Sequence, residues 1–304
     1  MKYNIFFFLL FTLIFSDRIY SEEIVSRIPI HSFPLLSNQR FAEIQIEGKP
    51  YLALIDTGSA FSMIRKDVLD EIKIKDFVSR SEFISVNGYV YITPNYIIPR
   101  VSIGKFCLDV PFKEEDSNFW TDGCTIGSHS FVSSFKLYLM YQVYREAVIG
   151  IDFLKKFACI FDFPHSNIFL AENISCLIND ASDFCMVPFE IGKAGVVSTF
   201  ETNLGKLNFL LDSAASASYI RKFKESGEII KSVLRIKDVN FGEWMFKQIN
   251  ISNKFSDIDG ILGIDFFKNN IIAFDFKSNT AYIQSVKLGS KERFTYWIKS
   301  CFGK

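Results

Sequence analysis

Ala53-Leu54-Ile55-Asp56-Thr57-Gly58-Ser59-Ala60-Phe61-Ser62-Met63-Ile64 is an apolar run that ends in an acid, a hydroxyl and a glycine. The aliphatic and β-branched residues Leu52 to Ile55 predict a buried strand, which delivers Asp56 to its end inside a hydrophobic wall. Burial opposes ionisation, so such a site either neutralises the carboxyl or supplies it with partners. Thr57 and Ser59 offer hydroxyls, and Gly58 lets a backbone amide approach with no Cβ in the way. Taken alone, Asp-Thr-Gly is also ordinary turn chemistry.

The chain then repeats itself. Phe209-Leu210-Leu211-Asp212-Ser213-Ala214-Ala215-Ser216-Ala217-Ser218-Tyr219-Ile220-Arg221-Lys222 lays Asp212 on Asp56 and also matches the hydroxyl position, Ser62, Ile64, Arg65 and Lys66. A second pair sets Val148-Ile149-Gly150-Ile151-Asp152-Phe153 and Phe161-Asp162-Phe163 against Ile261-Leu262-Gly263-Ile264-Asp265-Phe266 and Phe274-Asp275-Phe276. A weaker third pair sets Val101-Ser102-Ile103-Gly104 against Val239-Asn240-Phe241-Gly242. Three matched elements in one order mean an internal duplication.

With these motifs, the chain from Ile28 to Gln284 resembles the aspartic peptidases of the pepsin and retropepsin type, in their single-chain, two-lobed form. The resemblance implies an all-β fold, mainly strands with a few short helices: the two-lobed pepsin-like architecture with internal duplication. It divides the chain into a signal peptide (1–21), an N-terminal lobe (22–172), a linker (173–185) and a C-terminal lobe (186–304). It implies an aspartic-type endopeptidase in which Asp56 and Asp212 are catalytic. Thr57, Gly58, Ser59, Ser213, Ala214 and Ala215 form the supporting loops, and Gly150 and Gly263 lie beneath them. Thr57 and Ser213 correspond to hydroxyls that bond across the two-fold axis, and Ser59 to the hydroxyl that bonds the outer oxygen of its aspartate. Ala214 departs from the pattern, where the family has glycine. If that backbone needs a glycine conformation, the cost is of order 1 kcal/mol or more.

Two carboxylates brought together cannot both ionise, so they share a proton and titrate as a pair. One then takes a proton from a bound water as it attacks the peptide carbonyl, and the other donates to the developing oxyanion. Two other readings stand beside this one: an inactive relative that binds peptides in the same cleft, and a peptidase that pairs two copies of Asp56 through dimerised N-terminal lobes. Asp152 and Asp265 recur just after the loop glycines, where capping of a turn or helix start explains them.

Glu82 to Ile92 carries Asn87-Gly88, a two-residue hairpin signal. In the family this is where the flap lies, with Asn87, Gly88, Tyr89 and Tyr91 as its candidate residues. The step from Lys66 to Val101 is about twice that from Lys222 to Val239, which agrees with one flap on the first lobe. The stretch 113–145 is a further excess with no assigned role.

Among 304 residues, 34 Lys and Arg balance 34 Asp and Glu, which gives no electrostatic reason to expect a nucleic-acid partner. The expected partner is a peptide or protein substrate, with the chain working as a monomer. Met1 to Asn4 is a short basic start, and Ile5 to Phe15 carries no charge, a signal-peptide pattern too short to span a bilayer. Export to the periplasm or exterior follows, with an uncleaved N-terminal anchor as the alternative and no stable membrane insertion after cleavage. Export permits pairing of Cys107, Cys124, Cys159, Cys176, Cys185 and Cys301, and Cys176 with Cys185 is the pair suggested by position. With only His31, His129 and His165 to complete a cage, no metal and no cofactor is expected.

Overall fold

The computed structural model describes residues 25–32, 39–86, 88–115, 145–222 and 229–286. The expected signal peptide, Cys124, Cys301, Asn87 and nearly all of the 113–145 excess lie outside them. Within the described residues the chain is nearly all β, with short helices at Lys66–Glu71, Ile151–Leu154 and Ile264–Asn269.

The duplication is structural. In the first half, Lys49–Ile55 runs parallel to Ala147–Ile149, with Ile55 opposite Ile149. Ala147–Ile149 pairs antiparallel with Ser62–Arg65, which runs parallel to Phe106–Glu115. In the second half, Gly205–Leu211 runs parallel to Gly260–Leu262, which is antiparallel to Tyr219–Arg221, itself parallel to Val239–Ile249. Each half curls back on itself. Phe41–Ile46 reaches Val90–Ile103 through Gln45 and Ser102, and Val196–Thr202 reaches Ile229–Ile236 through Glu201 and Arg235.

Alternation of apolar and polar residues explains the hairpins. Phe41–Ile46 buries Phe41, Ala42, Ile44 and Ile46 while Glu43 and Gln45 face out. Its turn to Lys49 takes positive φ at Glu47 (51°) and Gly48 (80°), the geometry that lets two residues reverse a twisted pair.

The repeated Phe-Asp strands meet each other at the base. Ala158–Asp162 pairs antiparallel with Asn270–Asp275, setting Phe161 against Ile272 and Cys159 against Phe274. The rings of Phe161 and Phe274 pack edge to face at 5.5 Å. One buried core therefore runs through both halves.

Two expectations are corrected here. The 173–185 stretch is not only a polar linker, because Cys176, Leu177 and Ile178 are buried against Ile160, Phe169, Ile271 and Ala273 on the outer face of this basal sheet. Cys185 opens the strand Cys185–Pro188 as a thiol, so no disulfide joins it to Cys176.

Candidate active site

Each half lifts one aspartate to the end of a strand by the same device. The amide of Asp56 donates to Ile149 O and that of Asp212 to Leu262 O, both at 2.9 Å, continuing the parallel pairings beyond the strands. The next chain then passes beneath. A Cβ on Gly150 would lie 2.4 Å from Phe61 O, and one on Gly263 would lie 2.2 Å from Ala217 O. Only glycine fits that crossing.

Below the loops lies a second repeated feature. Ser62 Oγ donates to Asp152 (2.7 Å) and accepts from Gly150 N (3.0 Å); Ser218 Oγ donates to Asp265 (2.6 Å) and accepts from Gly263 N (3.1 Å). Gly150 and Gly263 occupy the N-cap positions, and Asp152 and Asp265 stand in the first helical turn, where each accepts the next amide, Phe153 N at 2.8 Å and Phe266 N at 3.1 Å, as expected at a helix start. The same carboxylates also clamp a serine from the preceding loop. The repetition of Ser62 at Ser218 is the sequence signal for this pair.

The two loops are locked across the interface of the halves. Thr57 Oγ1 donates to Leu211 O at 2.6 Å and accepts from Ser213 N at 3.0 Å. Ser213 Oγ donates to Ile55 O at 2.7 Å and accepts from Thr57 N at 3.0 Å. Both side chains are fully buried. The reciprocal bonds are the expected cross-axis pattern, and they bring the carboxyls of Asp56 and Asp212 into mutual hydrogen bonding.

The half-sites are not equivalent. Asp56 Oδ1 accepts the Gly58 amide at 2.8 Å, whereas Asp212 Oδ1 accepts two amides, Ala214 at 2.9 Å and Ala215 at 2.7 Å. Burial raises both carboxyls above the ordinary range. The charge of Asp212 pushes Asp56 further up, while the Ala215 and Ala214 amides hold Asp212 down. Two amide donors on Asp212 against one on Asp56 favour Asp212 as the oxygen pair that carries the charge.

Ser59 does not play the role expected of it. Its hydroxyl donates to Phe61 O at 2.7 Å, closing a local turn instead of reaching Asp56. Ala214, the departure from pattern, is accommodated: it has no positive φ, and its side chain is packed with Phe41, Leu54, Met63, Phe83 and Val148. The steric demand falls on Gly58 instead, where a Cβ would lie 2.3 Å from Asp212 Cγ.

Two unforeseen residues brace the loops from opposite sides. Gln39 Nε2 donates to Ala214 O at 3.1 Å. Gly195, with φ of 155°, approaches so closely that a Cβ there would sit 2.2 Å from Thr57 O. Neither stands in a stretch with a recognisable motif.

The hairpin formed by Ser79–Ile84 and Val90–Ile103 covers this floor. Its loop is longer than the two residues expected, spanning Ser85 to Tyr89, with Gly88 N donating to Ser85 O and Ser85 N to Tyr89 O. Gly88 takes φ of 91°, which glycine adopts without strain. Tyr89 is half exposed at the tip. Tyr91 stacks on its cross-strand partner Phe83 at 4.9 Å and packs against the cluster that contains Ala214. Asn87 lies outside the described residues.

Among the described residues no cluster of His, Cys, Asp and Glu has the grouping to hold a metal. Residues 42–120 match a family model described as aspartyl protease, a span that holds Asp56 and the covering hairpin. This match supports a peptidase role. No curated protein matches the chain.

Proposed function

We propose that the chain is an aspartic endopeptidase in which Asp56 and Asp212 activate a water held between them. The observation that carries this reading is the reciprocal bonding of Thr57 and Ser213, which holds two coupled carboxyls face to face. In the free site Asp212 is the ionised member and takes a proton from the water as its oxygen attacks the scissile carbonyl. Asp56, protonated, donates to the oxygen on which charge develops. The tetrahedral gem-diol then collapses: the C–N bond breaks as the proton now on Asp212 passes to the leaving amine, and Asp56 takes a proton back from one of the diol hydroxyls. The pair returns to one shared proton, and no covalent intermediate forms.

A single chain supplies both carboxyls, which favours a two-lobed monomer over pairing of two N-terminal lobes. Apolar side chains flank the site on both halves, Leu54, Met63 and Phe83 on one and Leu210, Ile249 and Ile261 on the other. They favour hydrophobic residues beside the scissile bond. The uncharged run Ile5 to Phe15 supports action outside the cytoplasm.

The test is cleavage of a mixed peptide library by the mature chain from acid to neutral pH, beside Asp56→Asn and Asp212→Asn. Loss of cutting in both variants is the expected result. Cutting that survives Asp212→Asn but not Asp56→Asn would move the site to a dimer of first lobes. A folded wild-type chain that cuts nothing would leave a peptide-binding role in place of catalysis.

A further inference from the structure

A lysine sits beneath the covering hairpin with no acid paired to it among the described residues. Lys113, on Phe106–Glu115, stands opposite Met63, and the same register position in the second half is Lys247, opposite Tyr219. Lys247 is exposed. Lys113 is half buried, with its ammonium 4.1 Å from the ring centre of Phe61 and 5.6 Å from that of Phe83. Its hydrogen bond goes to the neutral Ser81 hydroxyl at 2.6 Å. Among the described residues it forms no ion pair. The carboxylate whose field reaches it is Asp152, already engaged by the hydroxyl and amide of Ser62.

The surroundings of this ammonium belong to the cleft. Phe61 packs on Phe83 at 5.1 Å and Phe83 on Tyr91 at 4.9 Å. All three join the apolar cluster of Leu54, Met63 and Ala214, and Ala214 is the residue whose amide supports Asp212. The ring faces hold the ammonium in place, and with no counter-charge among the described residues a half-buried cation there offers an incoming anion a close partner. Burial holds the ammonium below its ordinary value.

We propose that Lys113, with Phe61 and Phe83, forms a charge-selective subsite that takes an acidic side chain of the peptide, so that substrates pair hydrophobic residues at the scissile bond with an aspartate or glutamate nearby. The inference rests on the peptidase reading for its position in the cleft. Its own content is the sign of the charge selected.

The experiment compares cleavage of peptides identical except for Asp, Asn or Lys at successive positions flanking the cut. At one position the wild-type chain prefers Asp over Lys by about tenfold or more, the selectivity of a close charge pair in a half-buried site. In Lys113→Met that ratio collapses toward one, and in Lys113→Glu it inverts toward Lys, while Lys113→Arg retains it. An unchanged ratio in Lys113→Glu overturns the proposal. If the folded wild-type chain cuts none of them, the same fluorescein-labelled peptides serve as ligands in anisotropy titrations. Binding that prefers Asp and inverts in Lys113→Glu keeps the subsite and removes only the catalytic reading. Charge-blind binding, or none, removes the subsite.

Discussion

The amide of Ser252 donates to the carbonyl of Val86 at 2.9 Å, tying the tip of the covering hairpin to the second half of the chain. The contact is close: a Cβ on Gly88 would lie 2.8 Å from Ser252 Oγ. Ile84 and Val86 extend it by packing against the cluster of Ile249, Ile251, Phe255 and Ile258 in the second half of the chain. The receiving segment is held by Arg221, whose guanidinium donates to the carbonyls of Ile251 (2.7 Å), Phe255 (2.7 Å) and Ile258 (2.6 Å). The covering hairpin is thus anchored at both ends, over carboxyls that remain partly exposed.

Proline at 252, read against alanine there, isolates this latch. Ser252 has φ of −56°, which proline adopts without strain, and proline removes the donating N–H together with the hydroxyl that accepts Lys254 N, the latter a loss that alanine shares. Ser252→Pro is expected to raise amide hydrogen exchange at Ser85, Gly88 and Tyr89 by about fivefold, the effect of one lost hydrogen bond. Ser252→Ala keeps the amide and leaves exchange at the wild-type level. Equal exchange in Ser252→Pro and wild type would show that the tip is held by apolar packing alone.

The positions Gly58 and Ala214 are equivalent in the repeat but not in space. Gly58→Ala places a methyl carbon on the carboxyl of Asp212, which must move. A displacement of this kind in a reacting group costs on the order of a hundredfold in rate, and cleavage by Gly58→Ala should fall at least that far. Ala214→Gly makes the position match Gly58 yet removes a packed methyl, about 0.8 kcal/mol, and adds backbone freedom costing about 0.5–1 kcal/mol. It should lower the melting temperature while cleavage persists. A more stable Ala214→Gly chain would mean that the alanine is strained after all.

What could be read in advance, and what could not, divides along physical lines. Asp56, Thr57, Asp212 and Ser213 were legible because a strand ending in an acid and a hydroxyl occurs twice, and duplication requires the two copies to meet. The direction of the Ser59 hydroxyl was not legible, since both its own turn and the neighbouring carboxyl lie within reach of the side chain. Ala214 looked like a defect because sequence carries no φ. The polar majority of 173–185 hid Leu177 and Ile178, whose burial depends on a basal sheet assembled from both halves. Gln39, Gly195 and the Val86–Ser252 latch are tertiary contacts between distant segments with no local pattern to announce them. Lys113 is ordinary in its strand and becomes distinctive only under the hairpin.

Thr57→Val keeps the shape of a fully buried side chain and removes its hydroxyl. Leu211 O then loses a donor and Ser213 N an acceptor, each at a cost of about 1–3 kcal/mol when left unsatisfied away from water. The variant should unfold at clearly lower denaturant and lose cleavage, because the two loops are no longer fixed to each other. Thr57→Ser retains the hydroxyl and should stay within about 1 kcal/mol of wild type, the cost of one methyl group. A denaturant midpoint for Thr57→Val matching that of Thr57→Ser would show that the cross-axis bonds contribute little to holding the loops.

The coupled carboxyls also set a pH dependence of stability whose sign can be worked out. Both have folded values raised above the ordinary 3.8, by burial and, for Asp56, by the charge of Asp212. Between 3.8 and the raised values the folded chain binds more protons than the unfolded chain, so stability falls as pH rises through that window. Below it, both states are protonated and the penalty vanishes. Asp152, Asp162 and Glu115 are raised by burial as well and slope the same way, so the wild-type profile alone does not isolate the pair. The difference between wild type and Asp56→Asn does, because asparagine has no proton to lose and leaves Asp212 without a charged neighbour. Melting temperatures measured from acid to neutral pH should decline more steeply in wild type than in Asp56→Asn, with the two curves converging at the acid end. Parallel curves would mean that Asp56 titrates as an ordinary carboxyl, and the assignment of the shared proton to it would then fail.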